Sequence, residues 1–197
     1  MARPDVRDKR RDQILDAFEE IVARNGIEGA TLARTAEVAG LARPLIRHNI
    51  GNREDLVAAL VERFLEKSRD AMDGMLNELP PEKAIHVLVD WLFDKSYSDP
   101  QLVRISSALI TASADDPRLA RKMRSWLREF IDRITFALSA SYPDAGKDRV
   151  DAVAAGLTGI YFNIESLYPL GDIQSVSQAS RNAALLLVTS LETKNVE

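Results

Sequence analysis

An all-α chain of about nine helices is what this 197-residue sequence predicts. Three observations carry that expectation. Apolar residues recur at i, i+3 and i+4 spacing through almost the whole length, and no window sustains the alternation of a strand. Chain breakers such as Pro80–Pro81, Pro100, Pro117 and Pro143 fall between these stretches. The same punctuation divides the chain into a three-helix domain over 1–51 and a larger helical domain over 52–197, joined by a long helix at 52–79.

The first helix runs from Arg7 to Asn25, where Ile14, Leu15, Phe18, Ile21 and Val22 form one stripe and Asn25-Gly26 supplies a left-handed stop. Thr31 is the N-cap of a short second helix carrying Leu32 and Ala36, which Gly40 ends. Pro44 suits the first turn of a third helix, 43–49, because a missing N–H costs nothing there. Gly51 closes it. Asn52 caps the long helix, with Glu54 and Asp55 favourably placed in its first turn and Leu56, Leu60 and Phe64 as its stripe. Beyond the double proline the expected helices are Ala84–Tyr97, Gln101–Ala114, Arg118–Ser141, Asp148–Leu167 and Ile173–Lys194.

Composition excludes several classes of function. There is no cysteine, so disulfides and thiolate chemistry are out, and two histidines, His48 and His86, do not make a metal site. Neither a nucleophile beside a histidine base nor a phosphate loop is present. The expectation is therefore a chain that is not an enzyme and carries no cofactor and no metal. No apolar stretch follows the charges of MARPDVRDKRRDQIL, and no run approaches a membrane span, so a cytoplasmic protein with no membrane partner is expected. The net charge of −4 is uneven: ten Lys/Arg balance ten Asp/Glu up to residue 56, and sixteen face twenty beyond it.

A short helix, a glycine turn and a second short helix form the helix-turn-helix pattern, whose second member enters the DNA major groove. Leu41 and Ile46 suit the angle between the helices. Arg43, Leu45, Arg47 and His48 are left for solvent or for a partner, and arginine can pair bidentately with guanine while leucine meets a thymine methyl. The plain alternative is a solvated basic face. Thr31 and Asn52 with Arg53 begin helices whose N–H groups can meet phosphates, and the arm Arg3, Arg7, Lys9, Arg10 and Arg11 is net positive against Asp5 and Asp8.

Residues 10–60, RRDQILDAFEEIVARNGIEGATLARTAEVAGLARPLIRHNIGNREDLVAAL, resemble the N-terminal domain of TetR-type transcriptional regulators. Ile14, Leu15, Gly26, Thr31, Ala36, Glu37, Ala39, Gly40, Ile46, His48, Gly51, Arg53 and Leu56 carry the resemblance. It implies DNA-contacting positions at Thr31, Arg43, Pro44, Leu45, Arg47, His48, Asn49 and Arg53. It departs from the family at Ala42 for serine, Pro44 for glycine, Arg47 for tyrosine, Ile50 for phenylalanine and Arg53 for lysine, which implies an atypical operator.

In such a protein the later helices bind an effector and form a dimer. Ala152, Ala155, Gly156 and Gly159, with Ala179, Ala183, Leu186, Leu187 and Ser190 on the next helix, permit close helix approach. The resemblance implies that these last two helices build the homodimer. Ligand candidates are Trp91, Trp126, Phe130, Tyr161, Phe162, Asn163 and Glu165, with Phe93 and Tyr97 nearby, though aromatic residues at helical spacing also fill ordinary cores. Together these readings predict a ligand-responsive regulator, in the sense of a repressor, that binds a palindromic double-stranded DNA operator as a homodimer and answers to a small-molecule effector. The alternative is a helical protein-interaction module that has lost sequence-specific DNA binding, with Arg47 and Ile50 as its sign.

Overall fold

The computed structural model describes residues 6–192. Arg3, Asp5 and Lys194 lie outside the described residues, as does the side chain of Arg7. Among the described residues there are nine α-helices and no strand, as the spacing predicts. They fall into two compact units, one made of residues 1–69 and 101–123 and the other of 70–100 and 124–197.

The first unit contains α1 (Val6–Gly29), α2 (Leu32–Val38), α3 (Arg43–Asn49), the first part of α4 (Arg53–Asn77), α6 (Pro100–Ala112) and the start of α7 (Pro117–Ser141). Helix α1 leaves helical geometry at Gly26 (φ 69°, ψ 175°), the position read as its stop, and one further turn follows to Gly29. Its stripe is buried as expected, Ile14, Phe18 and Val22 included, and so are Leu56, Leu60 and Phe64 of α4. The α2–α3 corner turns at Gly40, whose φ of +63° is a conformation that a side chain would oppose. There the Gly40 N–H donates to Glu37 O and the Leu41 N–H to Ala36 O, which satisfies the carbonyls at the end of α2. Gln13 of α1 reaches the same corner, its Nε2 donating to Ala39 O at 2.8 Å.

Helix α4 starts on a reciprocal cap. The Asp55 N–H donates to Asn52 Oδ1 at 3.0 Å, and the Asn52 N–H donates to Asp55 Oδ2 at 2.8 Å. Two N–H groups that the helix leaves unpaired are thereby satisfied.

The second unit contains the rest of α4 and α7, with α5 (Ala84–Leu92), α8 (Lys147–Leu167) and α9 (Gln174–Thr189) around a core that includes Leu88, Ile134, Leu157, Ile164 and Val188. Helix α5 stops at Leu92 rather than running to Tyr97. Asp94 is extended and its side chain accepts from the Ser96 N–H at 2.9 Å, a local bond that competes with the helix and starts a 3-10 turn at Lys95–Tyr97. A second 3-10 turn, Tyr168–Leu170, separates α8 from α9.

Candidate nucleic-acid interface

Helix α3 is attached to its unit by a single buried side chain, Ile46, which is 0% exposed. Seven residues complete barely two turns, so one inward residue leaves the rest of the surface outward. Arg43, Pro44, Arg47 and His48 are exposed, and Leu45 is 42% exposed. No carboxylate occurs between Glu37 and Glu54, while Arg43, Arg47 and Arg53 fall within that interval. The outward face of α3 is thus cationic with one apolar patch, although the chain as a whole is acidic.

The remaining candidates are tied down. Asn49 is half-buried and its Nδ2 donates to Leu45 O at 2.7 Å, one turn back, so its amide is partly occupied. Thr31 Oγ1 accepts from the Arg34 N–H at 3.2 Å, the N-cap role read from the sequence. Arg53 is turned toward the end of α1: its Nε and Nη2 donate to Ala30 O and Ile27 O at 3.2 and 2.8 Å, and Nη2 lies 3.5 Å from Glu28. A guanidinium there satisfies carbonyls at a helix C-terminus, where cations are favoured. The structure therefore leaves Arg43, Leu45, Arg47 and His48 exposed around the part of α3 that Ile46 does not anchor, and gives Thr31, Asn49 and Arg53 bonds of their own within the unit.

Sequence reading passed over two residues. Gln13 holds the corner from beneath, and Glu19 is 2% exposed inside the apolar stripe of α1. A signal for Glu19 was present, since it stands four residues after Leu15 and three before Val22, on the face that must be buried.

The effector candidates separate in the second unit. Trp126 stacks on Phe162 with centroids 5.3 Å apart, Phe130 stacks on Tyr161 at 5.8 Å, and Phe130 and Phe162 meet at 4.9 Å. Trp91 is paired instead with Tyr97, at 5.4 Å. Glu165 is 4% exposed and accepts from Ser98 Oγ at 2.8 Å. Burial raises its pKa above the ordinary value, against the smaller opposing effect of that hydrogen bond. Burial, and then the charge of Glu165, raise those of Tyr161 and Tyr168. Asn163 does not join them. It is exposed, because two residues along a helix turn a side chain about 200° from Tyr161.

Helices α8 and α9 divide their small residues between two surfaces. Gly156 faces α9, where an added Cβ would stand 2.9 Å from Leu187 Cδ1. Ala152, Ala155 and Gly159 of α8 are exposed, as are Ala179, Ala183, Leu186 and Ser190 of α9.

No family model matches the chain. The chain is 27% identical to a curated protein of Stenotrophomonas maltophilia named HTH-type transcriptional regulator BetI, over 64% of this chain and 65% of that protein. It is 24% identical to the protein of the same name from Rhizobium meliloti, over 77% and 76%. Among solved structures, a TetR family transcriptional regulator from Cytophaga hutchinsonii superposes with a TM-score of 0.79 at 13% identity, covering 98% of this chain and 100% of that one. The chain is thus similar in sequence to helix-turn-helix transcriptional regulators and shares its fold with a TetR family regulator. Both curated relatives are named as transcriptional regulators. Among the described residues, no helix is long and apolar enough to cross a membrane.

Proposed function

We propose that the chain is a ligand-responsive transcriptional repressor that binds a palindromic operator as a homodimer, with α3 in the major groove. The observation that carries this reading is α3 itself: one inward isoleucine, and an outward face of Arg43, Leu45, Arg47 and His48 without a carboxylate among them. Arginine at the start of the helix suits a guanine edge, Leu45 suits a thymine methyl, and Arg47, where the family usually has tyrosine, serves a phosphate or a second base. Thr31 and Asn52 aid from helix N-termini. Arg53 supports the site through the end of α1 and holds one edge of it.

The exposed small-residue face of α8 and α9 supports the homodimer, because a two-fold operator calls for a two-fold reader. The aromatic group around Phe130 and Phe162, with buried Glu165 beside Tyr161, supports an effector site in the second unit. An effector that favours a pose with wrongly spaced reading helices weakens operator binding by about 1 to 3 kcal/mol. The setting is the cytoplasm, where the operator is.

The test is a selection of bound sequences from a random DNA pool, followed by fluorescence anisotropy across a salt series with wild type, Arg43→Ala and Arg47→Ala. A palindromic consensus, steep loss of affinity with salt and relaxed base preference in Arg43→Ala are expected. Absent or salt-independent binding refutes the reading and leaves a helical protein-interaction module.

A further inference from the structure

The first unit holds a buried carboxylate that none of the candidate sites uses. Glu19 of α1 receives Lys67 Nζ of α4 at 2.8 Å, and Arg63 of α4 stands 3.8 Å away. Gln101, in the first turn of α6, approaches the same carboxylate at 3.5 Å. Arg63 also grips Asp12 and Asp16, each at 2.6 Å, so three acids one helical turn apart on α1 face two bases one turn apart on α4. Asp12 and Asp16 are largely exposed, and such rim pairs contribute little. Glu19 differs because it is sealed from water, where a charge is tolerated only beside its partners.

Apolar stripes tolerate small slides and rotations, whereas a buried ion pair is satisfied in one arrangement. The pair therefore sets how α1 lies on α4 and on the start of α6. The same helix α1 packs against α2 and α3 and carries the reading corner through Gln13 on Ala39 O. We infer that Glu19 is a positioning residue for DNA reading: it fixes the pose of α1 on α4 and α6, and with it the pose of α3, while touching neither DNA nor effector. The inference rests on the function proposed above.

The sign of the effect separates positioning from electrostatics. Removing a negative charge strengthens DNA binding if only the field matters. Removing Glu19 weakens it if pose matters. The test uses full-length wild type, Glu19→Gln, Lys67→Gln and the double variant, each checked for helicity by circular dichroism, with operator affinity measured across salt. Glu19→Gln is expected to raise the Kd about tenfold with an unchanged salt slope, in the range by which remote residues shift a coupling. The double variant is expected to lose less than the two single losses combined, because the partners are shared.

Amide exchange without DNA supplies an independent arm, in which residues 32–49 of Glu19→Gln exchange faster than in wild type. If Glu19→Gln does not fold, the half-exposed Lys67→Gln is read by amide exchange over 32–49, which is expected to quicken as in Glu19→Gln, because losing a cation weakens DNA binding through the field as well. Unchanged or tighter binding by a folded variant, or unchanged exchange in 32–49, overturns the inference. Failure of wild type to bind DNA refutes the proposed function instead, and the exchange arm then decides whether Glu19 holds the corner.

Discussion

Ile46→Ala is the sharpest perturbation of the reading helix. The side chain is 0% exposed and is the one buried residue of α3, so the substitution removes three carbons from the sole anchor of seven residues. Buried Ile to Ala changes cost about 2 to 5 kcal/mol, and a short surface helix can settle partly into the gap, which places the expectation near about 3 kcal/mol. A free helix of this length does not persist in water, so the loss falls first on the docking of α3. Urea unfolding followed by circular dichroism measures the global part, and amide exchange over 43–50 measures the local part. Ile46→Val, which removes one carbon, is expected to cost about 1 kcal/mol and to keep operator binding. An Ile46→Ala protein within about 0.5 kcal/mol of wild type, with unchanged exchange and operator affinity, would refute the single-anchor reasoning.

Gly51→Ala is expected to destabilise the chain by about 2 kcal/mol in thermal or urea unfolding, because φ is +119° there and the new Cβ would press on the Asp55 carboxylate that caps α4; a loss below about 0.5 kcal/mol contradicts this. Glu165 gives a pH dependence. Its folded pKa lies above the ordinary 4.5, so the folded state holds the proton more tightly, and wild-type stability falls as pH rises from 4.5 through the raised value and then levels off. Glu165→Gln keeps an acceptor for Ser98 and removes that slope, and at pH 8 it is expected to be the more stable protein; parallel pH profiles for the two would contradict the assignment. Leu186→Arg, at a side chain 73% exposed in one chain, is expected to yield a folded monomer in sedimentation equilibrium, and an unaltered dimer would move the interface elsewhere.

Helix positions were legible because their causes are local. Thr31, Gly40, Asn52 and the proline breaks act within a few residues of themselves, and the period of Ile14, Phe18 and Val22 can be read without knowing what covers them. The early end of α5 was missed because Asp94 bonds its own backbone, a choice that an apolar pattern does not encode. The orientation of Asn163 followed from helix geometry, but which side of α8 is inward depends on its packing against α9.

By itself the sequence determined an all-helical chain, the corner at Gly40, the inward role of Ile46 and a cationic segment at 43–53, since each depends on backbone preference or on periodicity. Only the tertiary structure decided where charge is spent. Arg53 is bound to carbonyls 23 and 26 residues away in the chain, and Lys67 to a carboxylate 48 residues away. Such pairings join groups that the fold brings together, and no local pattern distinguishes an arginine left facing outward, as Arg43 is, from one committed to the frame.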